Sequence, residues 1–184
     1  FSFARNSLAG NSILGIRALL NGTSNFILSE MEAGGSFQDA FDQADKQGYL
    51  EADRSADTEG FDAQAKLAIL ANILFDSNLN LVDVKRSGIS GITKDDVLAA
   101  KQAGVRWKQV ASLEMVNGDL QGEVKAQKLP LSDPLAQVMG TTNAITFNTD
   151  LLGEVTVTGP GAGSIETGYA ILSDLLTINS EESS

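Results

Sequence analysis

The stretch VRWKQVASLEMVNGDLQGEVKAQK, Val105 to Lys128, decides the architecture of this chain. Two β-rich runs, Val105–Val116 and Leu120–Lys128, flank Asn117-Gly118. Asn-Gly accepts the positive φ angles that a two-residue hairpin turn demands at both central positions, so the spacing predicts a tight hairpin. A second pair of short runs, Ala144–Asn148 and Glu154–Thr158, turns around Asp150–Gly153. Hairpins therefore dominate the second half, while helical patterns dominate the first. That combination predicts an α+β fold: a mixed, largely antiparallel sheet covered by helices, not a doubly wound parallel sheet.

Towards the N-terminus, Ile13–Leu20 is apolar and partly β-branched and reads as a strand ending in a tight loop at Asn21-Gly22. Phe26, Ile27 and Met31 recur at helical spacing and predict a helix from near Ser24 to Ala33. Ser36 opens a second helix, with Asp39 placed for a capping-box-like contact. Its Phe37, Ala40, Phe41 and Ala44 form one apolar face, and Gly48 is placed to end it. A third helix is expected over Phe61–Phe75. It is apolar nearly all round after Lys66, which predicts a central position. Leu79–Val84 reads as a short strand, and Thr93 as the cap of a helix reaching Ala103. GPGAG, Gly159–Gly163, leads into a last helix over Ser164–Leu176. The expectation is one domain over residues 1–176 and a disordered tail over 177–184.

The chain has 184 residues, enough for one domain with a real core. With 42% hydrophobic and 20% charged residues it has an ordinary globular composition. No apolar run approaches the roughly 20 residues of a spanning helix, and FSFARNSLAG does not resemble a signal peptide. The start at Phe1 rather than Met suggests a fragment. Cysteine is absent, which fits a cytoplasmic protein and excludes thiolate chemistry. Histidine is absent too, so acid–base work falls to carboxylates, lysine or tyrosine. A net charge of −11 argues against a nucleic-acid partner.

Glu51, Asp53, Asp57, Glu59 and Asp62 crowd ahead of a helix that carries Lys66. Asp62 and Lys66 stand four apart and share one helix face. Asp57 falls near the expected helix N-cap. A solvated acidic loop capping a helix explains this pattern. So does a pocket in which carboxylates grip an ammonium group and a desolvated lysine exchanges a proton. A metal site is a third reading, although the loop lacks the ligand spacing of an EF-hand. Pattern alone does not separate the three.

The segment GYLEADRSADTEGFDAQAK, Gly48 to Lys66, resembles the signature of homoserine dehydrogenases. The matching positions are Gly48, Tyr49, Glu51, Asp53, Asp57, Gly60, Asp62 and Lys66. Asn6–Met31 resembles the family's strand, Asn-Gly-Thr loop and following helix, and later blocks extend the likeness to Leu176. The resemblance implies an oxidoreductase that interconverts L-homoserine and L-aspartate 4-semialdehyde with NAD or NADP, in threonine and methionine biosynthesis. It implies catalytic roles for Lys66, Asp62 and Glu51, with Asp62 orienting Lys66. It implies substrate contacts from Gly22, Thr23, Tyr49, Glu51 and Asp57. Gly161, Ala162 and Gly163 would touch the cofactor, and no metal ligand falls within this chain.

Two positions depart from the family pattern. Arg54 stands where proline is frequent, and Ala56 where some members carry another aspartate. The family's dinucleotide-binding segment, a strand running into GxGxxG, is not found ahead of Gly10. The resemblance thus implies a catalytic and dimerisation domain, expected as a homodimer. The alternative is a non-catalytic dimerisation or substrate-binding module, inactive without a cofactor domain.

Overall fold

A computed structural model describes residues 3–50 and 54–182. The strands are β1 (Ile13–Leu19), β2 (Lys85–Arg86), β3 (Val105–Val116), β4 (Asp119–Pro130), β5 (Thr142–Thr149) and β6 (Gly153–Pro160). The helices are α1 (Gly22–Glu32), α2 (Phe37–Lys46), α3 (Arg54–Thr58), α4 (Phe61–Phe75), α5 (Lys94–Gln102) and α6 (Ser164–Glu182). The strands form one six-stranded sheet in the order β2-β4-β3-β1-β5-β6. All neighbours pair antiparallel except β2 with β4. The fold is therefore α+β with a mixed, largely antiparallel sheet, as the hairpin pattern predicts.

The β3–β4 hairpin has the expected turn: Asn117 and Gly118 take φ of 55° and 93°, the geometry that matches the twist of the flanking strands. β1 runs between β3 and β5 and so sits in the middle of the sheet. Its position explains why Ile16 and Ala18 on one face and Leu19 on the other are all buried.

Alternation along the strands sends residues to opposite faces. On one face Ile16, Ala18, Ala111, Leu113, Val124 and Phe147 pack under α4 through Leu67, Leu70 and Ala71. On the other, Leu19, Val110, Leu129 and Ala144 are covered by Leu135, Ala136 and Val138 from the connection between β4 and β5. A separate cluster joins α1, α2 and α5 through Phe26, Ile27, Met31, Ala40, Ala44 and Val97. Both short helices have the caps their sequences announce. Ser36 and Asp39 at α2, and Thr93 and Asp96 at α5, form reciprocal capping boxes.

Four expectations change. Leu79–Val84 is not a strand. Leu81–Asp83 form a single 3₁₀ turn, and only Lys85–Arg86 pair with β4. Leu79 packs against the core while Val82 stands in solvent. Next, α4 is not enclosed: Ile69 and Ile73 lie on an outward face. Finally, α1 begins at Gly22 rather than Ser24, because Asn21 is its N-cap. The last helix changes too: it runs to Glu182 rather than ending at Leu176, so residues 177–182 of the expected disordered tail are helical, and Ile165, Tyr169, Ile171 and Leu175 along it are exposed.

Candidate active site

The site is organised by Asn21, where β1 gives way to α1. Its backbone is extended, with φ −126° and ψ 111°, as an N-cap requires. Its side-chain oxygen accepts from the Ser24 amide at 2.7 Å. Its Nδ2 donates to Asp57 Oδ1 at 2.7 Å and to Asp62 Oδ2 at 2.9 Å. One amide therefore caps a helix and joins two carboxylates. Asn21 and Asp57 are both buried, and a buried carboxylate needs such donors to remain inside the fold.

Lys66 lies one turn beyond Asp62 on α4. Its Nζ donates to Asp62 Oδ2 at 2.8 Å and to the Leu20 carbonyl at 3.1 Å. Asp62 thus receives both the Asn21 amide and the Lys66 ammonium on one oxygen. Leu20 O also accepts a longer bond from Asn143 Nδ2, at 3.4 Å. An ammonium group has three N–H donors, so the two short bonds leave one free to meet a ligand. The Lys66 side chain is 45% exposed. The expectation of a desolvated lysine is corrected here: Lys66 faces an open cleft.

That cleft has a volume of about 460 Å³, within the range of small-molecule sites. Asn21, Asp57, Asp62 and Lys66 form its polar floor. Gly22, Thr23 and Tyr49 line one wall, Thr141 and Asn143 a second, and Gly161 and Ala162 the rim. Thr23 Oγ1 is engaged with the Tyr49 carbonyl at 2.7 Å, which ties α1 to the segment after α2. The Tyr49 ring meets Phe26 edge-on at 5.2 Å. Gly22 is held to glycine by close approach: a Cβ there would stand 2.5 Å from the Thr141 carbonyl oxygen.

The structure brings together most of the residues singled out in the sequence: Gly22, Thr23, Tyr49, Asp57, Asp62, Lys66, Gly161 and Ala162 share this one cleft. Glu51 and Asp53 lie outside the described residues. Asp57 is not the N-cap of α4. It sits in α3, and Gly60, with φ 81°, precedes α4. Gly163 is absent from the cleft lining, and a Cβ on it would run into the Glu166 carboxylate. Among the described residues no cluster of acidic side chains could hold a metal ion.

These contacts bear on whether a nicotinamide dinucleotide fits. Gly161 and Ala162 are small residues that line the same cleft as Lys66, which suits a nicotinamide contact, although the Asn143 side chain packs against Gly161. The start of α6 does not suit a diphosphate, because Glu166 places its own carboxylate there. Asn21 and Thr141 were not legible as site residues, and Asn143 reads in the sequence as structural. The pattern Asn21-x-x-Ser24 marks a cap, but nothing local shows that the same amide reaches Asp57 and Asp62.

Comparison with known proteins identifies a family. A family model described as homoserine dehydrogenase matches residues 1–176. The chain is 45% identical over 177 residues to an NAD(+)-dependent homoserine dehydrogenase of Pseudomonas canavaninivorans, covering 96% of this chain and 50% of that protein. It is 44% identical over 178 residues to a homoserine dehydrogenase of Methanocaldococcus jannaschii, covering 96% and 52%. The chain thus spans about half the length of these relatives. A homoserine dehydrogenase structure from Thiobacillus denitrificans superposes with a TM-score of 0.90 at 35% identity, covering 95% of this chain and 41% of that one. A hyperthermophilic archaeal homoserine dehydrogenase mutant, in complex with NADPH, superposes with a TM-score of 0.79 at 31% identity, covering 98% and 51%.

Proposed function

Because this chain belongs to the homoserine dehydrogenase family, we propose that its cleft is the substrate side of that oxidoreductase. The substrate pair is homoserine and aspartate 4-semialdehyde. The observation that carries the reading is the Lys66–Asp62–Asn21–Asp57 chain along the floor of an open cleft. Homoserine presents an ammonium, a carboxylate and a terminal hydroxyl. Asp57 offers negative charge to the ammonium, a task the family resemblance assigns to Glu51 as well. Lys66, steadied by Asp62 and Leu20 O, directs its remaining N–H at the reacting oxygen.

Reduction of the aldehyde leaves an alkoxide-like oxygen that the Lys66 ammonium protonates. In the oxidative direction the neutral amine takes the hydroxyl proton back. Asp62 accepts from the lysine throughout and fixes its orientation. When bound, a nicotinamide dinucleotide supplies or removes the hydride, with Gly161 and Ala162 against its nicotinamide end. The choice between NAD and NADP rests on residues that read the ribose. The open sheet face carrying Arg17, Ser112, Glu114 and Lys125 is where a second copy would pair. No described helix is long and apolar enough to cross a membrane; the cytoplasmic location and the place in threonine and methionine biosynthesis are what the family resemblance implies.

The test is steady-state kinetics of the full-length protein with homoserine and either cofactor. Lys66→Ala is expected to lower kcat about 10²- to 10⁴-fold, the usual worth of a positioned proton donor. Turnover within twofold of wild type would sink the assignment of Lys66.

A further inference from the structure

Lys108, on β3, is 1% exposed and among the largest fully buried side chains of the protein. Its Nζ donates to Asn25 Oδ1 at 2.6 Å and to the Val138 carbonyl, and it lies 3.7 Å from Met139 Sδ. Neither oxygen is charged. Burial, with Arg106 nearby, pulls its pKa from 10.5 down to about 7, although Glu32 acts in the opposite direction. A core of ordinary residues would be cheaper to build, so these donors call for an explanation.

The contacts of Asn25 supply one. Its Nδ2 donates to Val138 O and to Thr142 O, both at 3.2 Å. On the same helix Ser29 Oγ accepts from the Gly140 amide at 3.1 Å. Beside it Glu32 holds Arg106 through two bonds of 2.6 and 2.8 Å, and Arg106 donates to Ala136 O at 2.7 Å. One polar seam thus ties residues 136–142 to α1 and β3. Thr141, at its end, presses its carbonyl against Gly22 and lines the cleft together with Asn143.

We infer that Lys108 is a positioning residue: by bridging Asn25 and Val138 it fixes the Thr141–Asn143 wall of the cleft and so governs how tightly the substrate is held. The inference rests on the cleft being the homoserine site. Lys108 itself lies behind the wall and reaches neither substrate nor reacting atoms.

The experiment compares the wild-type, Lys108→Met and Lys108→Gln forms of the full-length protein by kinetics and amide hydrogen exchange. Methionine keeps the volume and removes the donors, whereas glutamine keeps a donor without the charge. Lys108→Met is expected to raise the KM for homoserine about tenfold with kcat within about threefold, since the reacting groups stay in place. Exchange of the amides of residues 140–142 should quicken about tenfold. Lys108→Gln should return KM to within about threefold of wild type. A folded Lys108→Met protein with unchanged KM and unchanged exchange overturns the inference, as does a glutamine variant no better than the methionine one.

If Lys108→Met does not fold, Ser29→Ala loosens the same segment through Gly140. It should raise both readouts in the same direction by about threefold, and no change there is equally fatal. Wild-type protein that does not turn over homoserine, yet shows the exchange response, would remove the functional reading and leave the role of Lys108 in building this wall.

Discussion

Lys66 and Lys108 are held in the same way and do different work. Each Nζ donates to one side-chain oxygen and one backbone carbonyl: Asp62 and Leu20 for Lys66, Asn25 and Val138 for Lys108. The difference is charge and access. Lys66 faces the cleft with a carboxylate at its side, so its ammonium form is compensated and within reach of a ligand. Lys108 is sealed in and faces neutral acceptors, and burial favours its neutral form. The same side chain therefore serves proton transfer where its charge is supported, and fastening where only its donors matter.

The comparison can be broken most directly in the seam around Lys108. Glu32→Gln leaves Arg106 without its carboxylate in a largely buried place. It is expected to cost about 3 kcal/mol in urea unfolding, the range for breaking one partner of a buried pair. A loss below 1 kcal/mol would show that the seam is ornamental.

The second effect is a pH dependence carried by Lys108. Its folded pKa of about 7 lies below the ordinary 10.5. Between those values the unfolded chain binds a proton that the folded chain lacks. Stability from this group therefore rises with pH through that window, by at most about 1.4 kcal/mol per pH unit. Below about pH 7 both forms are protonated and the contribution is constant. The difference in unfolding free energy between wild type and Lys108→Met, followed from pH 7 upward, should show this slope. A flat difference would contradict it.

The smallest effect belongs to the other lysine. Lys66→Ala removes an exposed i,i+4 pair with Asp62, and such pairs are worth about 0.3–0.5 kcal/mol. The midpoint of urea unfolding should hardly move, while kcat collapses. A large stability loss at Lys66 would erase the contrast between the two lysines.

What was legible in the sequence was local. Asn117-Gly118 announces a turn because few residue pairs tolerate two positive φ angles. Ser36 with Asp39, and Thr93 with Asp96, announce caps because the contact spans three residues. Asp62 and Lys66 meet because a helix places residues four apart on one face. The false strand at Leu79–Val84 is instructive. Its composition suits a strand, but β4 offers pairing only to Lys85 and Arg86, and the residues before them turn at Asn80. Propensity cannot show which edge has a free partner.

By itself, then, the sequence determined the five longer strands, the helices α1, α2, α4 and α5 to within a few residues, the α+β class, and the family, through a motif from Gly48 to Lys66 compact enough to be read as a string. Only the tertiary structure decided that Asn21 joins Asp57 to Asp62, that Thr141 closes against Gly22, and that Lys108 is buried. In an alternating strand Lys108 looks like any solvent-facing lysine. Its partners Asn25 and Val138 are 83 and 30 residues away. Hydrogen bonds across such separations form only after the sheet has brought distant segments together, so no local pattern records them.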